Sequence, residues 1–262
     1  GILIVSVSVH FLLAPLMADS FHRANLASAP ANLLVVPVMT LLLLGSLCVG
    51  GVLWIFNVTW YPWAFLTMWL SEKTIFCLRW FTEQGDWHWR TPSPPIPWMY
   101  FYYGLWLFCL LPFPRRIRLV AFIAVLVCFP TFLWSPFPVV HEAGTWEVWF
   151  FDVGHGDSIL NIFPGGETIL VDGGGSRGRS VAENNGMESI RTRFDIGEDV
   201  LCPALWTLRV KRLDHIVMTH PESDHYGGLH AVLDNFPVGE LWGPWPVEKW
   251  IHLVPGLGRL AE

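Results

Sequence analysis

An uncharged stretch of 24 residues, Leu33–Phe56, constrains the fold of this chain more than any other feature. About 20 apolar residues in a helix are enough to cross the hydrocarbon core of a bilayer. Pro37 and the Gly50-Gly51 pair lie inside the stretch, and such residues are tolerated in membrane helices that pack closely against neighbours. The stretch therefore predicts a membrane-spanning helix. The overall hydrophobic content of 53% is high for a soluble domain and supports the same interpretation.

Other apolar segments predict further membrane helices before residue 140. They are Ile2–Met17, Trp98–Pro114 and Leu119–Val140. The chain starts at Gly1 without a Met and has no signal-peptide pattern, so we expect a fragment of a longer protein whose first segment is the remainder of a truncated span. Asp19, His22 and Arg23 are expected in a solvated loop, with a polar path through the membrane as the alternative.

The segment Phe65–Glu83 predicts a helix that lies in the membrane interface. Its aromatic side chains fall close to one helical face, at Phe65, Trp69, Phe76 and Trp80, while its charged and hydroxyl residues collect elsewhere. Amphipathic helices of this kind lie on a membrane rather than crossing it.

Arginines set the expected orientation. Three of them lie between the last two predicted spans, at Arg115, Arg116 and Arg118. Because cytoplasmic loops of membrane proteins are enriched in Lys and Arg, we expect this group and Arg23 on the cytoplasmic side. If the helix at Phe65–Glu83 lies in the interface and does not cross, Arg23 and the later arginine group are on the same side of the membrane. The segment after Val140 is then expected on the periplasmic or outer side.

The charge balance changes near His141. Up to residue 140 there are seven Lys and Arg against four Asp and Glu, and from residue 141 onward nine against eighteen. The second part has the pattern of short strands, Gly-rich turns and helices that is typical of a layered α/β fold. We expect strands near Trp146–Phe151, Ser158–Phe163, Thr168–Val171, Asp214–Met218 and Glu240–Trp242, and helices near Glu198–Leu208 and Tyr226–Phe236.

The segment Thr219–His225 carries the strongest functional signal. It places His220, Glu222, Asp224 and His225 on the loop that follows a predicted buried strand. Loops at the carboxyl ends of strands are where α/β folds place their sites. Imidazoles combined with carboxylates suit a divalent ion that activates water and stabilises developing charge. The alternative is a polar turn that caps the next helix.

Three motifs follow one another in the second part of the chain, namely Phe151–Ser158, Ile169–Gly174 and His220–Leu229. In this order they resemble the metallo-β-lactamase-fold domain of the ComEC family of bacterial competence proteins. The segment Ala31–Val38 also resembles the start of a span in the family's competence domain. The resemblance implies a membrane α-helical region at residues 1–140 and a truncated αββα metallo-β-lactamase-like domain at residues 145–262.

The resemblance also implies roles for individual residues. Metal-binding positions correspond to His220, Glu222, Asp224 and His225. The acids expected at or beside the catalytic centre are Asp152, Asp172 and Asp224, together with Asp157 near the site. Two departures from the family pattern matter. His155 stands where the family usually has Gln, and the chain ends at Glu262, where further ligands would still be expected, so the metal site is predicted to be incomplete.

The function implied is uptake of DNA across the bacterial inner membrane, through a multi-pass channel with a metal-dependent nuclease-like domain. Asp224 is the expected residue that orients the attacking water. An oxygen-rich ligand set favours manganese, with zinc as the alternative. Two other hypotheses stay open: a transport or structural membrane protein whose hydrolase domain has lost its metals, and a membrane-anchored hydrolase of small substrates.

The expected partners follow from the same resemblance. They are single- or double-stranded DNA, the lipid bilayer, other DNA-uptake components and a second copy of the protein in a homo-oligomer. Four arginines are the candidates for contacts with the DNA backbone, namely Arg177, Arg179, Arg191 and Arg193. Because binding to phosphates requires positive charge, these residues could offset the acidic balance of the domain. The alternative is a solvated loop in which they pair with Glu183 and Glu188.

Overall fold

The computed structural model describes residues 2–25, 28–56, 61–83, 88–175, 194–244 and 246. The chain divides into two compact units. The helical unit comprises Gly1–Ala18, Arg23–Arg90 and Pro97–Leu133. The α/β unit comprises Asp19–His22, Thr91–Ile96 and Trp134–Glu262.

Helices dominate the described residues up to Trp134. They are α1 (Ile2–Phe21), α2 (Ser28–Ile55), α3 (Tyr61–Glu83), α4 (Ile96–Leu110) and α5 (Arg115–Trp134). Two short strands, β1 (Arg23–Asn25) and β2 (His88–Arg90), pair antiparallel with each other. Because α1 continues to Phe21, Asp19 lies in a helix rather than in the predicted loop. His22 is only 6% exposed, so the prediction that it is solvated is wrong.

Two helical segments are long and apolar enough to cross a membrane. They are Val35–Ile55 in α2 and Arg115–Trp134 in α5, with mean hydropathy of 2.3 and 2.2. The apolar segments Val7–Phe21 and Ile96–Leu110 are shorter. Helix α5 contains Pro130 and ends at Trp134, before Val140. Ser135 follows it with a left-handed φ of 41°, and Pro136 then lacks the N–H that a further helical turn would need.

Helix α3 exposes the aromatic face that the sequence predicts. Phe65, Trp69, Phe76 and Trp80 are each between 46% and 65% exposed. Its other side lies against α2, where a side chain larger than hydrogen at Gly45 would come within 2.9 Å of the Trp63 ring. An exposed aromatic face is compatible with an interfacial position, which stays a prediction.

A hydrogen bond between helices repairs a defect in α1. Pro15 has no N–H, so the carbonyl of Phe11, four residues earlier, loses its helical donor. The Tyr102 hydroxyl donates to that carbonyl at 2.8 Å. Tyr102 is fully buried and packs edge-on against Phe132 in the core of the helical unit, with Val125 beside them. A buried polar group of this kind orients α4 against α1.

The α/β unit is built on a five-stranded sheet in the order β3-β4-β5-β6-β7. The strands are β3 (Glu147–Phe150), β4 (Ile159–Ile162), β5 (Thr168–Val171), β6 (Leu213–Val217) and β7 (Val238–Trp242). The first three pair antiparallel, as expected for strands joined by tight turns, and β5, β6 and β7 pair parallel. Each strand overlaps one that the sequence predicts.

The core lies on one face of this sheet. Leu160, Leu170 and Ile216 point into it and are fully buried. Helices α6 (Cys202–Thr207) and α8 (Leu229–Asn235) cover that face. A π-helical turn, Gly197–Leu201, leads directly into α6, so this helical stretch matches the predicted helix at Glu198–Leu208.

The predicted helix at Tyr226–Phe236 is present as α8, which begins three residues later, at Leu229. A separate short helix, α7 (Ser223–Tyr226), precedes it and is not predicted by the sequence. A Cβ atom on Gly228 would collide with the backbone carbonyl of Gly173. This close approach of two backbones, which sequence periodicity does not reveal, lies directly before α8.

Candidate functional site

The three sequence motifs meet at one edge of the sheet. Asp172 follows β5 and Thr219 follows β6, and these strands are parallel, so both carboxyl ends reach the same edge. Strand β4 is antiparallel to β5, which brings its first residue, Ile159, opposite Val171. The turn that precedes β4 therefore arrives at the same edge. Ligand sites of open α/β sheets lie in this position.

Asp172 is the central residue of the site. Its side chain is only 2% exposed overall and accepts three hydrogen bonds. The donors are the Thr219 backbone N–H at 2.8 Å, the Thr219 hydroxyl at 2.6 Å and Nδ1 of His225 at 2.7 Å. The backbone of Asp172 has a φ of 55°, a left-handed conformation that Asp tolerates better than most residues. The carboxylate therefore fixes the strand end and the following loop together.

The two imidazoles of the motif form a pair. The ring centroids of His220 and His225 are 3.6 Å apart. Nδ1 of His225 lies 2.7 Å from the Asp172 carboxylate, and Nδ1 of His220 lies 2.9 Å from the Thr219 hydroxyl. Because Nδ1 of each ring is engaged in this way, Nε2 is the nitrogen that a neutral imidazole would offer to a metal.

Thr219 is a functional residue that the sequence analysis does not single out. Its backbone and side chain both bind Asp172, and its hydroxyl orients His220. The signal available in the sequence is a hydroxyl residue directly before a candidate histidine ligand. Ser158 is a second case, since its hydroxyl donates to the Asp172 carbonyl at 3.1 Å.

The acids of the loop differ in their surroundings. Asp224 is half-buried, and its Oδ1 is buried without a hydrogen-bond partner among the described residues. A buried carboxylate oxygen without a partner is costly and calls for a ligand, an ion or water. Glu222 is exposed, and it is its backbone carbonyl that holds the loop, by accepting from the N–H groups of His225 and Tyr226.

The glycine-rich turn at residues 152–157 joins the site through its backbone. Gly174 N–H donates to the Asp157 carbonyl at 2.9 Å, and Gly175 N–H donates to the His155 carbonyl at 3.1 Å. Gly156, at a φ of 76°, lies so close to the backbone carbonyl of Asp224 that a Cβ atom would not fit. The side chains of Asp152, His155 and Asp157 are exposed. Their backbone shapes the site, and catalytic or supporting roles for their side chains stay predictions.

The structure fits a metal in part. Nε2 of both histidines and the buried oxygen of Asp224 are suitable donors, and the carboxylate that orients His225 is a common support for metal-binding imidazoles. Within the described part of the chain, however, no group of three or more His, Cys, Asp or Glu side chains is arranged to hold an ion. A complete metal site would need further ligands besides these three side chains.

The predicted DNA-contacting arginines cannot be placed. Arg177, Arg179, Arg191 and Arg193 all lie outside the described residues. Their contact with nucleic acid stays a prediction.

Two family models match the chain in consecutive segments. The model described as Competence protein matches residues 1–116, and the Metallo-beta-lactamase superfamily model matches residues 152–257. The second match confirms the predicted fold class, a helical region followed by a mixed α/β domain of metallo-β-lactamase type, and suggests the use of divalent metal. The predicted domain boundaries, 1–140 and 145–262, stay a prediction.

Curated relatives match nearly the whole chain. ComE operon protein 3 of Bacillus subtilis (strain 168) is 27% identical over 249 residues, which is 91% of this chain and 30% of that protein. Uncharacterized protein YcaI of Escherichia coli (strain K12) is 25% identical over 261 residues, which is 96% of this chain and 30% of that protein. The chain thus spans about 30% of the length of these relatives.

Proposed function

Because the chain belongs to the ComEC family of competence proteins, we propose that it is part of a protein that takes up DNA across the bacterial inner membrane. The observation that carries this proposal is the order of the two matched segments, a competence region followed by a metallo-β-lactamase region. The relative from Bacillus subtilis aligns with 91% of the chain and so covers both segments.

The helical unit supplies the membrane part of the proposed protein. Helices α2 and α5 contain the two candidate spans, and further spans would make the protein multi-pass. The exposed arginines at the start of α5 favour a cytoplasmic location for that end. The α/β unit would then lie on the periplasmic side. A reporter enzyme that is active only in the periplasm, fused after Gly144, should be active in cells, and activity of a cytoplasmic reporter at this point would contradict the orientation.

The α/β unit supplies a metal-dependent hydrolase site in this proposal. His220, His225 and Asp224 would hold a divalent ion, with Glu222 as a further ligand, and Asp172 orients His225. When bound, such an ion polarises a phosphate oxygen and lowers the pKa of a water molecule. The unpartnered Oδ1 of Asp224 can accept a hydrogen bond from water and so orient it. Glu222 in place of an imidazole favours manganese over zinc.

The test is metal analysis of the complete parent protein, purified without chelators, alongside variants. We expect a bound divalent ion in the parent and a strong loss of affinity in His220→Ala and His225→Ala. Asp172→Asn removes no ligand but should weaken metal binding about 10–100-fold, because it alters the support of His225. His215→Ala is the matched control, since His215 lies within β6, opposite Glu240 of β7, and bonds Glu167 instead.

The outcomes separate the competing functions. DNA cleavage by the manganese-loaded parent supports the nuclease-like role, and activity with zinc alone refutes the metal preference. A parent without bound ions that is indifferent to these substitutions would instead support a structural domain in a transport protein. Cleavage of small phosphoesters or lactams without cleavage of DNA would support a membrane-anchored hydrolase of small substrates.

DNA contact by the arginine-rich segment is tested separately. Replacement of Arg177, Arg179, Arg191 and Arg193 by Gln should flatten the dependence of DNA affinity on salt. Each lost phosphate contact lowers the slope by roughly 0.7 on single strands and 0.9 on duplex DNA. An unchanged slope would show that these arginines pair with acids of the protein.

A further inference from the structure

A proline-rich segment of the helical sequence is built into the α/β unit. Thr91–Pro95, which we call the strap, lies between β2 and α4 in sequence but belongs to the α/β unit. Thr91 is fully buried and Ser93 is 7% exposed, and Pro92 and Pro94 are buried beside them. A surface connection would not bury four consecutive residues, so the strap has a specific place in the fold.

The strap is docked on the carboxyl end of α6. The Ser93 N–H donates to the Trp206 carbonyl at 3.0 Å, and Nε of Arg209 donates to the Ser93 carbonyl at 3.1 Å. The Thr91 N–H donates to the carbonyl of His22, whose ring lies 5.6 Å from the ring of Trp206.

The composition of the strap suits this docking. Its other three residues are prolines, which have no N–H, so every amide donor of the strap is bonded. Proline-rich segments are already extended before they bind and lose little conformational entropy on docking.

Arg209 shows that this end of the helix is held in a defined conformation. Its φ of 59° is uncommon for a residue other than glycine. Such conformations persist where surrounding contacts determine them. Here the Arg209 N–H bonds the Trp206 carbonyl at 3.0 Å and the side chain reaches the strap.

The same helix reaches the candidate site at its other end. The π-helical turn and α6 form one continuous helix from Gly197 to Thr207, roughly 16 Å long at 1.5 Å per residue. A Cβ atom on Gly197 would collide with the carbonyl of Gly228. The Gly228 N–H in turn donates to the Gly174 carbonyl at 2.9 Å, two residues after Asp172. The helix therefore abuts the glycine turns that hold the site.

The carboxyl end of α8 contacts both ends of the helix Gly197–Thr207. Nδ2 of Asn235, the last residue of α8, donates to the carboxylate of Glu198, near the amino end, at 2.9 Å. The ring of Phe236, directly after α8, stacks on Trp206 near the carboxyl end with centroids 5.3 Å apart. Close-packed interiors transmit a displacement rather than absorb it. A shift of the carboxyl end of α6 would thus be carried to its amino end.

We propose that the strap is a positioning element for the candidate site. Its docking on Trp206 and Arg209 fixes the helix Gly197–Thr207, and this helix fixes the glycine turns beside Asp172 and His225. The inference concerns the geometry of the site and holds whichever substrate or ion the site takes.

Hydrogen exchange of the full chain in detergent micelles, followed by mass spectrometry, tests the proposal. The variant Ser93→Pro with Arg209→Lys removes both hydrogen bonds between Ser93 and the carboxyl end of α6, while keeping the extended backbone and the charge. We expect loss of protection at Thr91 and exchange at least roughly fivefold faster at Gly173 and Gly228, whose amides are bonded within the glycine turns. Arg209→Lys alone should give a smaller change in the same direction.

Two references distinguish positioning from general stability. The amides of Leu170 and Ile216 lie in the central strands β5 and β6 and report opening of the whole unit. The matched control is Ala143→Pro with Arg212→Lys, at two exposed positions away from the strap.

The proposal is overturned by any of three results. One is a released strap with unchanged exchange at Gly173 and Gly228. Another is an equal rise at these glycines and at Leu170 and Ile216, which would mean that the strap only stabilises the unit. The third is a Thr91 amide that stays protected in the double variant, since the strap would then be held by other contacts.

Discussion

The two units of this molecule differ in where their large apolar side chains lie. In the helical unit many of them lie on the outside, around a small core that includes Val125 and Phe132, and Trp54 and Leu41 are 83% and 71% exposed. In the α/β unit, Leu160, Leu170 and Ile216 are fully buried between the sheet and its helices. The hydrophobic effect drives the second arrangement in water. The first is stable where the surroundings are apolar, which agrees with the two candidate membrane spans.

Polar groups differ between the units in the same sense. In the helical unit the Tyr102 hydroxyl serves a single carbonyl that Pro15 has left without a donor. In the α/β unit three donors converge on one carboxylate, Asp172, at the edge of the sheet. In the helical unit this hydrogen bond satisfies a backbone group of the helix, whereas in the α/β unit the hydrogen bonds hold the side chains of the candidate site together.

Loss of Asp172 should have the largest effect and should be confined to the α/β unit. Asp172→Ala leaves the two donors of Thr219 and the ring of His225 without an acceptor, at about 1–3 kcal/mol for each unsatisfied group. We expect a total loss of about 3–5 kcal/mol in the free energy of unfolding. Asp172→Asn keeps one acceptor oxygen and tolerates the left-handed backbone, so its loss should be smaller. Hydrogen exchange, followed separately in each unit, measures the loss of stability in both variants. An equal loss of stability in the helical unit would contradict the prediction that the effect is confined to the α/β unit.

A pair of glycines should show the next largest difference. Gly154 and Gly156 have φ values of 77° and 76°, so Ala carries a similar backbone cost of about 1 kcal/mol at either position. Only at Gly156 would the new methyl group meet the Asp224 carbonyl. We therefore expect Gly156→Ala to lose about 1–3 kcal/mol more than Gly154→Ala in the free energy of unfolding, through displacement of the loop that carries Asp224. Equal thermal stabilities of the two variants would show that the turn does not press on that loop.

The smallest effect is expected in the helical unit. Tyr102→Phe removes the hydroxyl that bonds Phe11 and should cost about 1 kcal/mol, as is usual for a single hydrogen bond. Tyr100, which is 73% exposed on the same helix, provides the control Tyr100→Phe. Unfolding by SDS in mixed micelles measures the difference. If Tyr102→Phe lowered the free energy of unfolding as much as Asp172→Ala does, polar contacts would be as important for the stability of the helical unit as for that of the α/β unit.

The sequence predicts most helices and strands of both units, because each of these elements corresponds to a local run of apolar residues. The long uncharged stretch gives α2, and short apolar runs between glycine turns give β3 to β7. The sequence does not predict α7, and α8 begins three residues later than expected. It also does not reveal the close approach of Gly228 to Gly173, which is far away in sequence and which no local pattern encodes.

The candidate site was predictable in its residues and less so in its geometry. His220, Asp224 and His225 follow from their spacing and from the resemblance. The close contact of the two imidazole rings and the hydrogen bond between Thr219 and His220 are visible only in the structure. Glu222 and the acids of the glycine-rich turn, Asp152 and Asp157, have exposed side chains. Their assignment to the candidate site therefore comes from the resemblance and not from contacts in the structure.

By itself the amino-acid sequence determined which segments are apolar helices, which are strands, and which loop carries the imidazoles and acids, because these properties depend on near neighbours along the chain. Only the tertiary structure decided that Asp172 gathers Thr219 and His225, and that Thr91–Pro95 joins a unit distant in sequence. Those contacts arise between residues separated by tens of positions, where packing and the satisfaction of buried polar groups, rather than local preference, select the partners.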